Sequence, residues 1–447
     1  MHDDFLMAKG VRKQAAVLTA GGLLAQLPLY CFLLVGDLAW SLKERAVQEL
    51  AKVQLREFSQ DPLLFGILFG AIPALLLFFC APTVGAWSDR TRTRAGRRIP
   101  FLLAIAPLLA GSLALLALSE PIADFLLRLG DVDPARREFA VVACIAACWT
   151  LFEVFSLASN ALFIALVNDT VPHHIIGRFF GLFRIVSLSV GAVFFYVVFD
   201  EDLPAKASNV MLVVAAIYLA AFLMLCRYVR EPAYPPAVPA QRGFTGRLRA
   251  DRSGFPWFFV ALFAAVGIAT ISFLPVNVNA YNALAQYGVG RSSFGQALAL
   301  TYCISIVLAM PLGWLADRVH PLRIGLGTLA LYAACMVCGW LLVTGPRSFL
   351  VWLVLHGVLS GAFLSGTAAL LPRVLPRERF SELAAFSAAI TAGLAMAVSL
   401  GVGLLLDMSG RNYSLIFPAA GALAAIGAAT WYYVMHQHED IEKTRCQ

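Results

Sequence analysis

Asp37, Trp40, Ser41, Glu44 and Gln48 recur at i, i+3, i+4, i+7 and i+11, the spacing that sets side chains on one face of a helix. That face carries two acids, an indole and two neutral polar groups. It follows a chain that is apolar from residue 15 to residue 40. A charged side chain at mid-bilayer costs about 2.5–3.5 kcal/mol even on the lenient insertion scale, so such a face belongs against a wet cavity. There the acids can carry a proton or cation and the indole can cover a ring. Lys43 and Arg45 lie beside the face and are placed to neutralise the acids. The other reading ends the helix near Trp40 and makes SLKERAVQELAKVQLREF an amphipathic outer helix.

Four further groups stand out in apolar surroundings. Glu153, Ser156 and Asn160 share a helical face, as do Arg184 and Ser187. Arg184 lies level with Asn160, and Glu153 roughly 10 Å further along at 1.5 Å rise per residue. A Glu153–Arg184 ion pair within one bundle is one reading and separate cavity roles the other. In PVNVNAYNALAQY, Asn277, Asn279, Tyr281 and Asn282 crowd together after Pro275. A broken helix bearing amides and a phenol suits sugar-like hydrogen bonding; an outer helix cap and loop is the plainer reading. Trp352, His356 and Ser360 recur at four-residue spacing, and His356 either relays a proton or packs with its nitrogens satisfied.

The elements that must position these groups follow from composition. The chain has 447 residues, 60% apolar and 14% charged, with a mean hydropathy of +0.78, whereas soluble domains have about 25% charged residues. Apolar runs long enough to cross a bilayer as helices of ~20 residues lie near 21–50, 62–87, 100–119, 139–167, 179–200, 209–229, 255–280, 293–315, 323–344, 348–371, 383–406 and 413–435. They define twelve membrane spans, and in lipid only helices or closed barrels satisfy their backbone. The pI near 9.0 does not signal nucleic acid, because the arginines sit in short breaks between apolar runs rather than along one polar face. The cysteines fall almost wholly inside apolar runs, so the Cys335–Cys338 pair reads as small apolar filler rather than a redox motif. The apolar run after the N-terminus is too long for a cleaved signal.

With both termini cytoplasmic, the inner loops and tails hold 22 of the 34 Lys and Arg residues and the outer loops nine; Lys43, Arg45 and Arg184 lie within spans. The excess inside supports that orientation. The stretch 230–254, rich in Pro, Ala and Arg, divides the spans six and six and reads as a flexible linker. Landmarks repeat on either side of it. Gly85-Ala-Trp-Ser-Asp89-Arg90 ends span two and Gly313-Trp-Leu-Ala-Asp317-Arg318 ends span eight; Asp169-Thr-Val-Pro172 follows span four and Arg373-Val-Leu-Pro376 follows span ten. Matched landmarks in matched places signal an internal duplication, the plan of many secondary transporters.

On these residues the chain resembles the major facilitator superfamily, whose signature loop Gly-x-Leu-x-Asp-Arg-x-Gly-x-Arg-Arg follows spans two and eight. The longer first copy, Ser88-Asp-Arg-Thr-Arg-Thr-Arg-Ala-Gly96-Arg97-Arg98-Ile-Pro100-Phe, is similar to that of the glycoside/pentoside/hexuronide:cation symporters and the sucrose:proton symporters. Gly36-Asp37 in span one and ASNALFIALVND in span four add to the likeness. The chain departs from that branch where ALLLFFCAPTVGAW of span two lacks acids, and where Ile164 precedes Ala165-Leu166.

The resemblance implies an all-α membrane protein with twelve transmembrane helices in two pseudo-symmetric six-helix bundles, 1–229 and 255–447, joined by the linker. It implies a gating motif of Gly85, Asp89, Arg90, Gly96, Arg97, Arg98, Gly313, Asp317 and Arg318, in which Asp89 latches the two halves at the inner face and the arginines complete the latch or meet anionic lipid. Function then reads as secondary active transport of a small polar solute, a sugar or glycoside among the candidates. Protons or a monovalent cation would be carried by Asp37, Glu44 or Glu153, and substrate would be held by Trp40, Ser41, Asn160, Arg184, Asn277, Asn279, Tyr281 and His356. No cofactor, metal or nucleic acid is called for. The remaining expectations are a monomer in the inner (plasma) membrane among its lipids, and no enzyme activity. A membrane-embedded transferase would need acids or histidines gathered in loops, whereas His173-His174 stands without an acidic cluster. A sensor or scaffold with this fold and no flux is the alternative.

Overall fold

The computed structural model describes residues 20–91, 93, 96–131, 133–231, 257–368, 370–375 and 380–446. The linker of the sequence reading therefore lies outside the described residues, except for Arg230 and Glu231. Eleven helices among the described residues are long and apolar enough to cross a membrane. With the more charged span one they make the twelve spans anticipated from hydropathy.

Span one is a single helix, Ala20–Arg56, about 55 Å long at 1.5 Å per residue. It runs on past Glu44 without a break, so the reading that ends it near Trp40 is wrong, and Lys52 and Arg56, counted as loop residues, belong to its last turns. Span two runs 62–90 and contains a π-turn at Ile67–Ala71. Such a turn leaves the backbone ladder out of register, and the carbonyl of Leu68 there accepts a 2.7 Å bond from Trp149 Nε1 of span four. Spans three to six are Ile99–Ala117, Arg137–Thr170, His173–Val197 and Leu203–Tyr228. Between spans three and four, Ser119–Leu129 forms a short amphipathic helix that hydropathy alone left as loop. Its Phe125, Leu126 and Leu129 are exposed, as befits an interfacial helix. Arg137 bonds Glu120 at 2.7 Å and Asp124 at 2.8 Å, and that hydrogen bond holds the Asp124 carboxyl below the usual carboxylate range.

Span seven is two pieces, Trp257–Ile271 and Leu274–Asn279. The break precedes Pro275, because proline fits the first turn of a helix, where its missing N–H has no partner to lose. Spans eight to twelve are Arg291–Val319, Pro321–Leu342, Pro346–Thr367, Phe380–Met408 and Ile416–Cys446, with a short helix Leu370–Val374 after span ten.

Packing repeats with an offset of six. Spans one and six, three and six, three and four, two and four, and one and five pack together; so do seven and twelve, nine and twelve, nine and ten, eight and ten, and seven and eleven. The contacts that cross between the two sets, two with eleven and five with eight, exchange under the same offset. That is a pseudo-twofold relation. The crossing seams are close: a Cβ on Gly295 of span eight would sit 2.5 Å from the Phe195 carbonyl of span five and 2.8 Å from Phe199 Cβ. One on Gly403 of span eleven would sit 3.0 Å from Leu63 Cα of span two. Small residues let membrane helices approach this near.

Candidate functional site

Two adjoining chambers lie within the bundle, the first walled by one set of helices and the second lying between the two sets. The first, about 340 Å³, is lined by Asp37, Trp40, Glu44 and Arg45 of span one, Asn160, Phe163 and Ile164 of span four, and Phe180, Phe183, Arg184 and Ser187 of span five. The second, about 230 Å³, is walled by Arg45, Glu49 and Phe195 on one side and by residues of spans seven, eight and ten on the other, among them Asn277, Tyr281, Thr301, Tyr302, Ser305, His356 and Ser360. Arg45 lines both. These volumes lie near the lower end of small-molecule sites, about 300–1,000 Å³.

Span one presents its polar face to the cavity, rotated from the anticipated one. Asp37, Trp40 and Glu44 are there, but Ser41 is fully buried in the helix packing and lines neither chamber. Its place is taken by Arg45 and Glu49. At ~100° per residue, Arg45 and Glu49 lie about 40° and 80° beyond Ser41 round the helix, and spacing alone cannot fix which edge faces inward. Asp37 is 2% exposed and its Oδ2 has no hydrogen-bond partner; Trp40 Nε1 and Asn160 Oδ1 are likewise buried without one. Three buried polar atoms without a partner among the described residues thus belong to residues lining one chamber, and buried polar groups in folded proteins are rarely left unpaired.

The cations beside the acids divide their labour. Lys43, 1% exposed, donates to Glu44 Oε2 at 3.2 Å and to Ser156 Oγ of span four at 2.6 Å, with its ammonium 5.5 Å from the Trp40 ring centroid. The charged groups near Glu153 are Glu44 and Lys43, and no Glu153–Arg184 ion pair forms among the described residues. Arg45 neutralises no acid. It turns to the other side of the helix and donates to Tyr302 Oη of span eight at 3.2 Å and Ser187 Oγ of span five at 3.3 Å.

On the opposite wall, His356 is 3% exposed and both ring nitrogens are engaged, Nδ1 with Tyr332 Oη at 2.8 Å and Nε2 with Asn277 Oδ1 at 3.0 Å. Tyr281 accepts from Arg291 Nε at 3.2 Å. Asn279 lines neither chamber: its amide donates to the Pro275 carbonyl one turn back at 3.1 Å, a helix-internal bond that turns it from the cavity. Asn282 instead accepts from Arg56 at 2.7 Å.

Those last contacts belong to a tie between the halves at the end away from the arginine-rich loop. Lys52 donates to the Asn277 carbonyl at 3.0 Å, Arg56 to Asn282, and Arg291 pairs with Glu57 at 3.1 Å. Glu201 accepts from the backbone N–H of Ser292 at 3.1 Å.

At the other end, Gly85, Asp89 and Arg90 lie on the last turns of span two, and Gly313 and Asp317 on those of span eight. Beyond that helical backbone, these five lie outside the described residues. Arg97 holds Asp169 of span four with two bonds, 2.6 and 3.1 Å. Arg98 holds the same carboxylate at 3.3 Å and also bonds Ser88. Both arginines thus clamp spans two, three and four of one half. Arg318 lies over the Trp314 ring of its own helix, 3.9 Å from the centroid. Gly96 has φ +116°, a conformation glycine adopts without strain, and a Cβ there would strike the Glu231 carboxyl. Glu231 accepts from the N–H groups of Arg97, Arg98 and Ile99 at 2.7–2.9 Å, closing the N-terminus of span three. Glu231 escapes the sequence reading; its only signal is an acid three residues after span six, next to Arg230.

An all-helical membrane protein with two interlocking six-helix sets and a cavity between them has the major facilitator fold. Residues 276–445 match the family model described as Major Facilitator Superfamily. No curated protein sequence matches the chain. Among solved structures it is similar to a D-xylose-proton symporter, at 15% identity and TM-score 0.64 over 90% of this chain and 96% of that one. It is similar to the inward-open xylose transporter XylE from E. coli, at 15% identity and TM-score 0.66 over 91% and 95%, and to the nucleoside transporter NupG, at 12% identity and TM-score 0.63 over 90% and 98%.

Proposed function

We propose that this protein is a secondary active transporter that moves a small polar solute by alternating access. The observation that carries the reading is the polar cavity enclosed between two pseudo-symmetric bundles and tied at one end by bonds that cross between them. Residues 1–229 and 255–447 are the moving bundles and 230–254 the linker. Solute exchange at the tied end requires Lys52, Arg56 and Arg291 to release their partners, after which the opposite end closes. The arginine-rich loop, with Asp89 and Asp317, gates that opposite end. It lies on the cytoplasmic face of the inner membrane together with both termini, and the protein works as a monomer. The similarity to structures named for xylose–proton symport and nucleoside transport supports a small polar solute, a sugar or glycoside among the first to test.

Coupling to protons runs through Asp37, a buried carboxylate on the wall of the first chamber with one oxygen unpartnered among the described residues. Glu44 and Glu153, already facing Lys43, tune it. Asp37→Asn should abolish uphill accumulation in proteoliposomes under an imposed pH gradient while leaving exchange intact. Undiminished uphill uptake by that variant would take Asp37 out of the mechanism. A chain that supports no counterflow with any solute it binds would instead be a sensor with this fold.

A further inference from the structure

The charges of the cavity do not balance, and the imbalance names a ligand. Lys43 is committed to Glu44 at 3.2 Å and faces Glu153. Lys52 is committed to Glu49 at 2.8 Å. That leaves Asp37, Arg45 and Arg184 lining the first chamber. Among the described residues Arg45 has only hydroxyl partners, Tyr302 and Ser187, and its Nε is buried without one. Arg184 makes no hydrogen bond or ion pair among the described residues, and the other charged group it feels is Arg45 itself. A guanidinium held away from bulk water is costly unless paired, and two together are costlier still. Each keeps a planar fork of N–H donors, the geometry that suits a carboxylate or phosphate.

Arg45 is also aimed rather than loose. Its guanidinium lies 5.1 Å from the Tyr302 ring centroid, a cation–π distance. That ring packs over Gly191 of span five, where a Cβ would come within 3.1 Å of it. Spans one, five and eight thus fix one guanidinium at the junction of the two chambers, with the second on the wall of the first.

We propose that Arg45 and Arg184 are the anion-binding pair of the transport site, and that the solute carries a carboxylate or phosphate group. This rests on the transporter reading. The neutral donors and acceptors of the second chamber, Asn277, Tyr281, Thr301 and Ser360, then receive the solute's uncharged part. With Asp37 protonated, the chamber holds two guanidiniums and no free acid, so a proton and an anion enter together.

The test uses the purified full-length protein in phosphatidylcholine nanodiscs, a neutral lipid that removes anionic headgroups as a rival occupant. Thermal stabilisation is screened with matched solutes: glucose, glucuronate and glucose 6-phosphate; ribose, ribonate and ribose 5-phosphate; glycerol, glycerate and glycerol 3-phosphate. The expected hits are anionic. Their neutral parents bind at least tenfold more weakly, and Arg184→Gln removes the difference while keeping the unliganded melting temperature, since that side chain bonds nothing in the fold. Arg184→Lys should restore binding in part. A neutral parent that binds as well as its anions, a screen with no anionic hit, or anion binding untouched by Arg184→Gln overturns the proposal. So does stabilisation only when phosphatidylglycerol is added, which would assign the pair to lipid. Counterflow separates the two readings: flux of a neutral solute unaffected by Arg184→Gln keeps the transporter and sinks the anion pair. Anion binding without flux does the reverse.

Discussion

The two walls of the cavity are built from different chemistry. The wall from spans one, four and five carries Asp37, Glu44, Arg45, Glu49 and Arg184, with Lys43 bonded to Glu44 behind it and Glu153 close by. The wall from spans seven, eight and ten carries Asn277, Tyr281, Thr301, Tyr302, Ser305, His356 and Ser360, with no charge among these lining groups apart from the titratable His356. The bundles match in packing yet differ in polarity, so a duplicated backbone does not impose a duplicated site. The charged wall can respond to protons and to an anion. The neutral wall can count hydroxyls and amides. Coupling and recognition of the solute's uncharged part are then separable, and mutations should sort by wall.

The largest effect is expected at Lys43. Lys43→Met deletes the cation that bonds Glu44 and Ser156 and faces Glu153, at a cost of about 2–3 kcal/mol for charged hydrogen bonds lost inside a protein. Melting temperature should fall and uphill uptake should cease. A stable variant with intact coupling would erase the distinction between the walls. His356→Leu on the neutral wall breaks the Tyr332–His356–Asn277 chain, about 2 kcal/mol for two neutral bonds. It should raise KM about tenfold while the ratio of uphill to downhill transport stays unchanged. A lost ratio would give His356 a share in coupling and narrow the contrast. Tyr302→Phe is the finest probe, because it removes only the Oη that Arg45 bonds across the halves and keeps the ring beneath the guanidinium. About 1 kcal/mol is at stake, read as a several-fold weaker apparent affinity with coupling retained.

Much of this was legible in the residues. Each span must be apolar on its own account to sit in lipid, so hydropathy placed all twelve to within a few residues in most cases, and the arginine-rich loop fell where span two ends. Asp37 and Glu44 line the first chamber as their charge anticipates, because a charge in a bilayer is expensive wherever the helix is turned, and Trp40 lies beside them on the same face. Ser41 and Asn279 were misplaced, and Arg45 was assigned to the wrong partners, because a stripe has two edges and spacing does not say which one packs. Glu153 lies near Lys43 and Glu44 rather than pairing with Arg184, because the seating of one helix against another is not written in the spacing of either. Glu231 reached the start of span three across more than a hundred residues of chain, a distance no local pattern spans.

The sequence by itself determined the number and order of membrane spans, the doubled plan and the rarity that marks each intramembrane charge, because these are properties each segment must satisfy alone against lipid. Only the tertiary structure decided which carboxylate each cation holds, which wall is charged, and that Arg45 and Arg184 are left to face the cavity. Those outcomes depend on how the helices are rotated and seated against one another, which is settled by side-chain packing over the whole bundle.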